Sequence, residues 1–124
     1  MLTRRPLKGY PKRGEIYIAD LDPAFGREIH KKRPVLIISI NDINEVLPTV
    51  IIIPFSSIVP KDIGPDFVSF STQKGLDKES ALVVNQLGAV DQIRLIKKIG
   101  KISQEKLLEV EESLKLVLGM TSIE

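Results

Sequence analysis

Arg33 is the residue of this chain best suited to act on a phosphate. It stands directly before Pro34 and the apolar run Val35–Ile38, and it ends a loop that reads Gly26-Arg27-Glu28-Ile29-His30-Lys31-Lys32. A guanidinium carries its donors in a planar fork that matches phosphate oxygens. At the first residue of a buried strand that fork is held at its base and can be aimed. His30, Lys31 and Lys32 could add phosphate contacts. The competing reading is a well-solvated turn, with Arg33 in a surface salt bridge to Glu28 or Asp42 and His30 simply exposed.

Inventory removes several other chemistries. His30 is the only histidine, so a mechanism using two imidazoles is excluded. There is no cysteine, which rules out thiolate catalysis, disulfides and Cys-ligated zinc and mildly favours a reducing cytosol. Neither a Walker-type glycine loop nor a nucleophile elbow is present. Asp20 and Asp22 sit two residues apart at a strand end and could face one Mg²⁺. Metal cages want more oxygen ligands than that, so turn and strand-end solvation is the plainer reading. No metal and no other cofactor is expected.

The chain is 124 residues long, enough for one domain with a sizeable core and too short for two. Its 43% hydrophobic and 27% charged content are ordinary for a globular protein. Without an apolar segment after the basic N-terminus, or any run near about 18 apolar residues, neither a signal peptide nor a membrane span is expected. A cytoplasmic protein follows. The net charge of +2 hides an asymmetry. Residues 1–33 hold nine Lys/Arg against four Asp/Glu, and the remainder nine against twelve. That basic front suits RNA or DNA; for the segment Met1–Arg13 taken alone, a solvated tail with no partner is the plainer reading.

Strands come first and a helix last. Residues 15–21 alternate as a two-faced strand does. Val35–Ile38 and Val50–Ile53 are β-branched runs of strands buried on both faces. Phe67–Ser71, Ala81–Val84 and part of Leu95–Ile102 complete the set. Turns are expected at Asp22-Pro23 with Gly26, at Asn41–Asn44, from Pro60 to Pro65, at Lys74-Gly75 and at Gly88. Short strands so punctuated predict a small antiparallel barrel. From Ser103, a plausible N-cap, Leu107, Val110, Leu114 and Val117 recur at helical steps, with Glu105 in the first turn and Gly119 just past the end. Asp91 reads as a turn cap. The organisation is a basic N-terminal extension, 1–12, and one domain, 13–124.

In series, several of these segments resemble the MazF/PemK toxin family. They are Arg13-Gly14-Glu15-Ile16-Tyr17, Asp20-Leu21-Asp22-Pro23, Gly26-Arg27-Glu28 and Arg33-Pro34-Val35-Leu36-Ile37-Ile38-Ser39. Leu47-Pro48-Thr49-Val50-Ile51, Gly75-Leu76…Ser80, Gln86…Val90-Asp91 and Lys98-Ile99-Gly100-Lys101-Ile102 follow in order, over roughly residues 12–120. The resemblance implies a mainly β, SH3-like barrel of the CcdB/PemK type with a C-terminal α-helix, acting as a homodimer. It implies a metal-independent endoribonuclease toxin (an mRNA interferase) that cuts single-stranded RNA at short motifs. A cognate MazE-like antitoxin with an acidic C-terminal segment would neutralise it.

The same resemblance assigns residues. Arg33 matches the family's catalytic arginine. Ser56, after Pro54-Phe55, matches a position where relatives carry threonine, and the swap keeps the hydroxyl; Ser57 is the neighbouring alternative. Glu28 and Gln86 match positions at the RNA groove, so the RNA-binding set is Glu28, His30, Lys31, Lys32, Ser57 and Gln86. The implied reaction is 2′-oxygen attack on the adjacent phosphorus, giving a 2′,3′-cyclic phosphate and a 5′-hydroxyl. A guanidinium keeps its proton at neutral pH, so Arg33 suits transition-state electrostatics better than general base catalysis. Two departures stand out: Gly88 where many relatives have arginine, and Ile29 where they have a small or polar residue. The alternatives are a plain strand-end hydroxyl at Ser56, a non-cleaving RNA-binding barrel, and a gyrase inhibitor of the CcdB type. The last lacks support, since those end in Trp-Gly-Ile and this chain has no tryptophan.

Overall fold

Two β-branched strands carry the centre of the fold. In the computed structural model, which describes residues 9–23, 25–62 and 64–121, they are β2 (Lys32–Ile37) and β3 (Thr49–Ser56). Val35 and Ile37 of β2 pack with Val50 and Ile52 of β3 on one face. Leu36, Ile53 and Phe55 pack on the other, with Phe70, Leu82 and Val110. Both faces of both strands are buried, which is why their sequences run apolar without alternation.

Around them lie β1 (Glu15–Asp20), β4 (Phe67–Phe70), β5 (Ser80–Val83), β6 (Gly88–Asp91) and β7 (Leu95–Lys101). All pairings are antiparallel, in the order β4-β5-β3-β2-β1-β7. The first half of β3 pairs with β6 and its last two residues with β5. Both partners therefore take the same edge of β3 in turn, and the sheet bends between them. The ladder is not closed: β4 and β7 do not pair. The gap is bridged by a backbone crossing. A Cβ on Gly100 would stand 2.5 Å from the Lys74 carbonyl oxygen, and one on Gly75 would stand 2.6 Å from that of Ile99. Only two glycines allow that approach. Gln73 Nε2 adds a bond to the Lys101 carbonyl at 3.1 Å. The barrel-like, mainly β architecture with a C-terminal helix is as expected.

Helix α2 (Gln104–Val117) covers one core face through Val110, with Leu107, Leu114 and Val117 beside it. Ser103 Oγ accepts from the Lys106 N–H at 3.1 Å. At the other end Gly119 has φ 73°, and the N–H groups of Gly119 and Met120 donate to Leu116 and Lys115 carbonyls. That pair of bonds is a Schellman cap. Arg13 ties the helix to the segment that follows β2: Nε donates to the Ile38 carbonyl at 2.9 Å and Nη2 lies 2.9 Å from Glu111 Oε2. Pro11 is fully buried. Pro11 and Arg13 thus belong to the packing rather than to a solvated tail; residues 1–8 lie outside the described residues.

Two expected turns are regular elements instead. Asn41–Asn44 opens a helix, α1 (Asn41–Val46). Its reason is the buried Asn44, whose side chain bonds Ser39 Oγ and the Ser39 carbonyl, while Gln92 Nε2 donates to the Asn44 and Leu47 carbonyls. Gly88 starts β6, paired with Ile52. Asp91 does cap a turn, accepting from the Ile93 N–H at 3.0 Å.

Candidate nucleic-acid site

Arg33 is the second residue of β2, which begins at Lys32, one residue before the expected start. The ladder pairs Val35 with Pro54 and Leu36 with Ile53; continued outward in the same register, it sets Arg33 against Ser56. The guanidinium is held from two sides. Nε donates to the His30 carbonyl at 2.8 Å, and Nη1 to the Phe55 carbonyl at 3.4 Å. Of the five N–H donors of a guanidinium, three keep no protein partner among the described residues. Arg33 makes no salt bridge there with Glu28 or Asp42: Glu28 Oε1 instead accepts from the Phe25 N–H at 2.9 Å.

Ser56 Oγ accepts from the Ile58 N–H at 3.1 Å. This turn, the plain role expected for a strand-end hydroxyl, fixes the oxygen and leaves the O–H free to donate. Arg33, Ser56 and Ser57 line one cleft of about 730 Å³, together with Lys32, Asp77, Lys78 and Lys97. Its floor is apolar, formed by Ile18, Pro34, Phe55, Leu76 and Ile99. Four cations face one carboxylate, so the cleft attracts anions.

Glu28 and Gln86 are not in this cleft. They line a second one, of about 610 Å³, with Arg27, Ile29, Asn85, Gly88 and Arg94. Gln86 Oε1 accepts from the Ile29 N–H at 2.8 Å and so anchors the loop that carries Arg33. Arg94 Nη1 donates to the Asp20 and Asp22 carbonyls at 3.0 and 2.6 Å. His30 and Lys31 line neither cleft. Within the loop, Asp22 Oδ1 accepts from the Lys31 N–H at 2.8 Å and lies 3.5 Å from His30 Nδ1. Lys31 has φ 71°, a left-handed conformation that costs a lysine about 1–2 kcal/mol. Gly88 leaves open space: a Cβ there meets nothing within 4 Å.

Asp20 Oδ1 accepts from the Asp22 N–H at 3.1 Å, and no group of three or more His, Cys, Asp or Glu among the described residues is placed to hold an ion. Tyr17 belongs to the core cluster of Val35, Ile37, Val50 and Ile52. Burial, reinforced by the charge of Glu15 and a hydrogen bond to it, pushes the Tyr17 phenol from 10.0 up to about 12.

Sequence reasoning missed Asp77, Lys78 and Lys97 as lining residues. The first two fall inside the Gly75-Leu76…Ser80 match, which offered a signal. Lys97 offered none, since only the β1–β7 pairing brings it to the cleft. Among the described residues no helix is long and apolar enough to cross a membrane.

Known structures share this fold. MazF (Form-I) from Deinococcus radiodurans is 23% identical, with 91% of this chain and 100% of that chain covered at a TM-score of 0.81. An endoribonuclease in complex with its cognate antitoxin, from Mycobacterial species, is 19% identical, with 90% and 98% covered at 0.74. The Mycobacterium tuberculosis toxin MazF-mt6 is 22% identical, with 85% and 96% covered at 0.72. Residues 12–118 match the model of the PemK-like, MazF-like toxins of type II toxin-antitoxin systems. With a match over that span and an open-laddered barrel of the same kind, the chain belongs to the MazF/PemK toxin family.

Proposed function

We propose that this protein is a sequence-selective, metal-independent endoribonuclease toxin cleaving single-stranded RNA, with Arg33 and Ser56 as its catalytic pair. The observation that carries the reading is the state of Arg33. Two carbonyls orient it, no carboxylate neutralises it among the described residues, and it opens into a cationic cleft shared with a hydroxyl whose proton is free.

In the reaction the ribose 2′-oxygen loses its proton and bonds to the adjacent phosphorus. The bond to the 5′-oxygen breaks, and that oxygen takes up a proton. The products are a 2′,3′-cyclic phosphate and a 5′-hydroxyl. Charge grows on the non-bridging phosphoryl oxygens as the new bond forms. The free Arg33 N–H groups and the Ser56 O–H are donors that need no reorganisation to meet it. Ser57, next along the chain, adds a second hydroxyl to the same wall. Lys32 contacts phosphate in the cleft. Glu28 and Gln86, in the second cleft, act on which RNA is held; His30 and Lys31 shape the loop that presents Arg33.

The partners follow the family: an antitoxin with an acidic C-terminal segment suits a cleft with four cations and one acid, and the working form is a cytoplasmic homodimer. The test is cleavage of a long single-stranded RNA by purified protein in EDTA, with end analysis of the fragments. Cyclic phosphate ends, lost with Arg33→Ala in a protein that still folds, are expected. A strict Mg²⁺ requirement, or undiminished cleavage by Arg33→Ala, would overturn the mechanism.

A further inference from the structure

The catalytic pair occupies only one side of its cleft. On the other side, Lys97 of β7 pairs with Ile18 of β1, and Ile18 pairs with Pro34 of β2. Lys97, Ile18 and Pro34 thus form one row across three strands, and all three line the cleft. Two strand spacings set Lys97 about 10 Å from the β2 backbone beside Arg33.

Lys78 reaches the same cleft from the Gly75 turn. That turn is pinned twice: the Gly75–Gly100 crossing holds it to β7, and Ser80 Oγ donates to the Lys78 carbonyl at 3.0 Å. Neither lysine makes an ion pair among the described residues, whereas the next residue along β7, Lys98, lies 2.7 Å from Glu15 Oε2. The strand therefore neutralises one lysine and leaves its neighbour bare, facing an anion-attracting groove with an apolar floor.

We propose that Lys97 and Lys78 form a second phosphate-binding position, which grips the RNA backbone one step away from the phosphate held by Arg33 and Ser56. This rests on the RNA-cleavage reading of the cleft. The contact is to charge and not to base edges, so it acts alike on every sequence. The apolar floor of Ile18 and Pro34 between the two positions takes the intervening sugar. The structural competitor is that an edge-strand lysine only blocks sheet-to-sheet association.

The experiment measures binding of a short, fully 2′-O-methylated oligoribonucleotide, which cannot be cut, across a salt series. Wild type, Lys97→Gln, Lys78→Gln, Lys97→Arg and the control Lys98→Gln are compared. Lys97→Gln and Lys78→Gln are each expected to bind several-fold more weakly, with the log–log salt slope reduced by about 0.7, the value for one single-strand phosphate contact. Lys97→Arg keeps the wild-type slope and Lys98→Gln leaves it unchanged. The proposal fails if Lys97→Gln binds as wild type does, including the case where it only aggregates, or if Lys98→Gln loses as much. Failure of the underlying mechanism reads differently: Arg33→Ala would still cut unmethylated RNA, whatever the lysines do to binding.

Discussion

Replacing Arg33 by lysine separates charge from orientation. The arginine is fixed by Nε to the His30 carbonyl at 2.8 Å and by Nη1 to the Phe55 carbonyl at 3.4 Å, with its remaining donors turned to the cleft. An ammonium keeps the positive charge but gathers its three donors on one atom. It cannot stay anchored to two carbonyls and still present a fork to a phosphate. Losing one preorganised donor from a charged transition state costs about 10²–10³ in rate, or roughly 2.7–4 kcal/mol. Arg33→Lys should therefore lower single-turnover cleavage by about 10²–10³, and Arg33→Ala by more. Binding of uncut RNA should change far less for the lysine variant, because the charge persists. The two lost hydrogen bonds are each worth about 0.5–1.5 kcal/mol, so urea unfolding must accompany the assay. A folded Arg33→Lys protein that cuts within tenfold of wild type would refute the reasoning, since charge alone would then suffice.

Three further outcomes can be checked. Ser56→Thr should retain cleavage and Ser56→Ala lose most of it, because only the former keeps an O–H above the Ile58 turn; equal rates for all three proteins in a fixed-time assay would make the hydroxyl incidental. Gly100→Ala forces a methyl to 2.5 Å from the Lys74 carbonyl oxygen, so it should lower unfolding stability by about 1–3 kcal/mol and reduce RNA affinity by displacing Lys78. A midpoint in urea unchanged from wild type would show the crossing to be slack. The Tyr17 phenol holds its proton more tightly folded, at about 12, than unfolded, at 10.0. Its contribution is then complete below pH 10 and is lost as pH climbs toward 12, roughly 2–3 kcal/mol in all. Tyr17→Phe should flatten the stability curve in that window, and identical alkaline slopes would remove Tyr17 as the cause.

Local signals determined much of this protein in advance. The β-branched runs that became β2 and β3, the Ser103 cap, the helical spacing from Leu107 to Val117 and the glycine at 119 each act within a few residues. Their physics is complete in the sequence, and the structure repeats it with small changes of boundary. The placing of Arg33 at the entrance to a buried strand belongs to the same class. The serial family motifs carried the rest of the functional reading, including the choice of Ser56, which composition and spacing do not single out.

Long-range pairing decided what no window of sequence contains. Asn41–Asn44 became helix because Asn44 found Ser39 and Gln92 in the core, and Gly88 became strand because Ile52 offered it a ladder partner. The loop residues grouped together in sequence were parted in space: Lys32 and Arg33 line one cleft, Glu28 lines another, and His30 and Lys31 line neither. Lys97, 64 residues beyond Arg33 in the chain, joined it across β1. A side chain's chemistry is written in its residue type, but its neighbours are set by strand register and by the close approach of Gly75 to Gly100. Those depend on the whole sheet packing at once, and they made a cationic cleft out of residues that were only scattered charges along the chain.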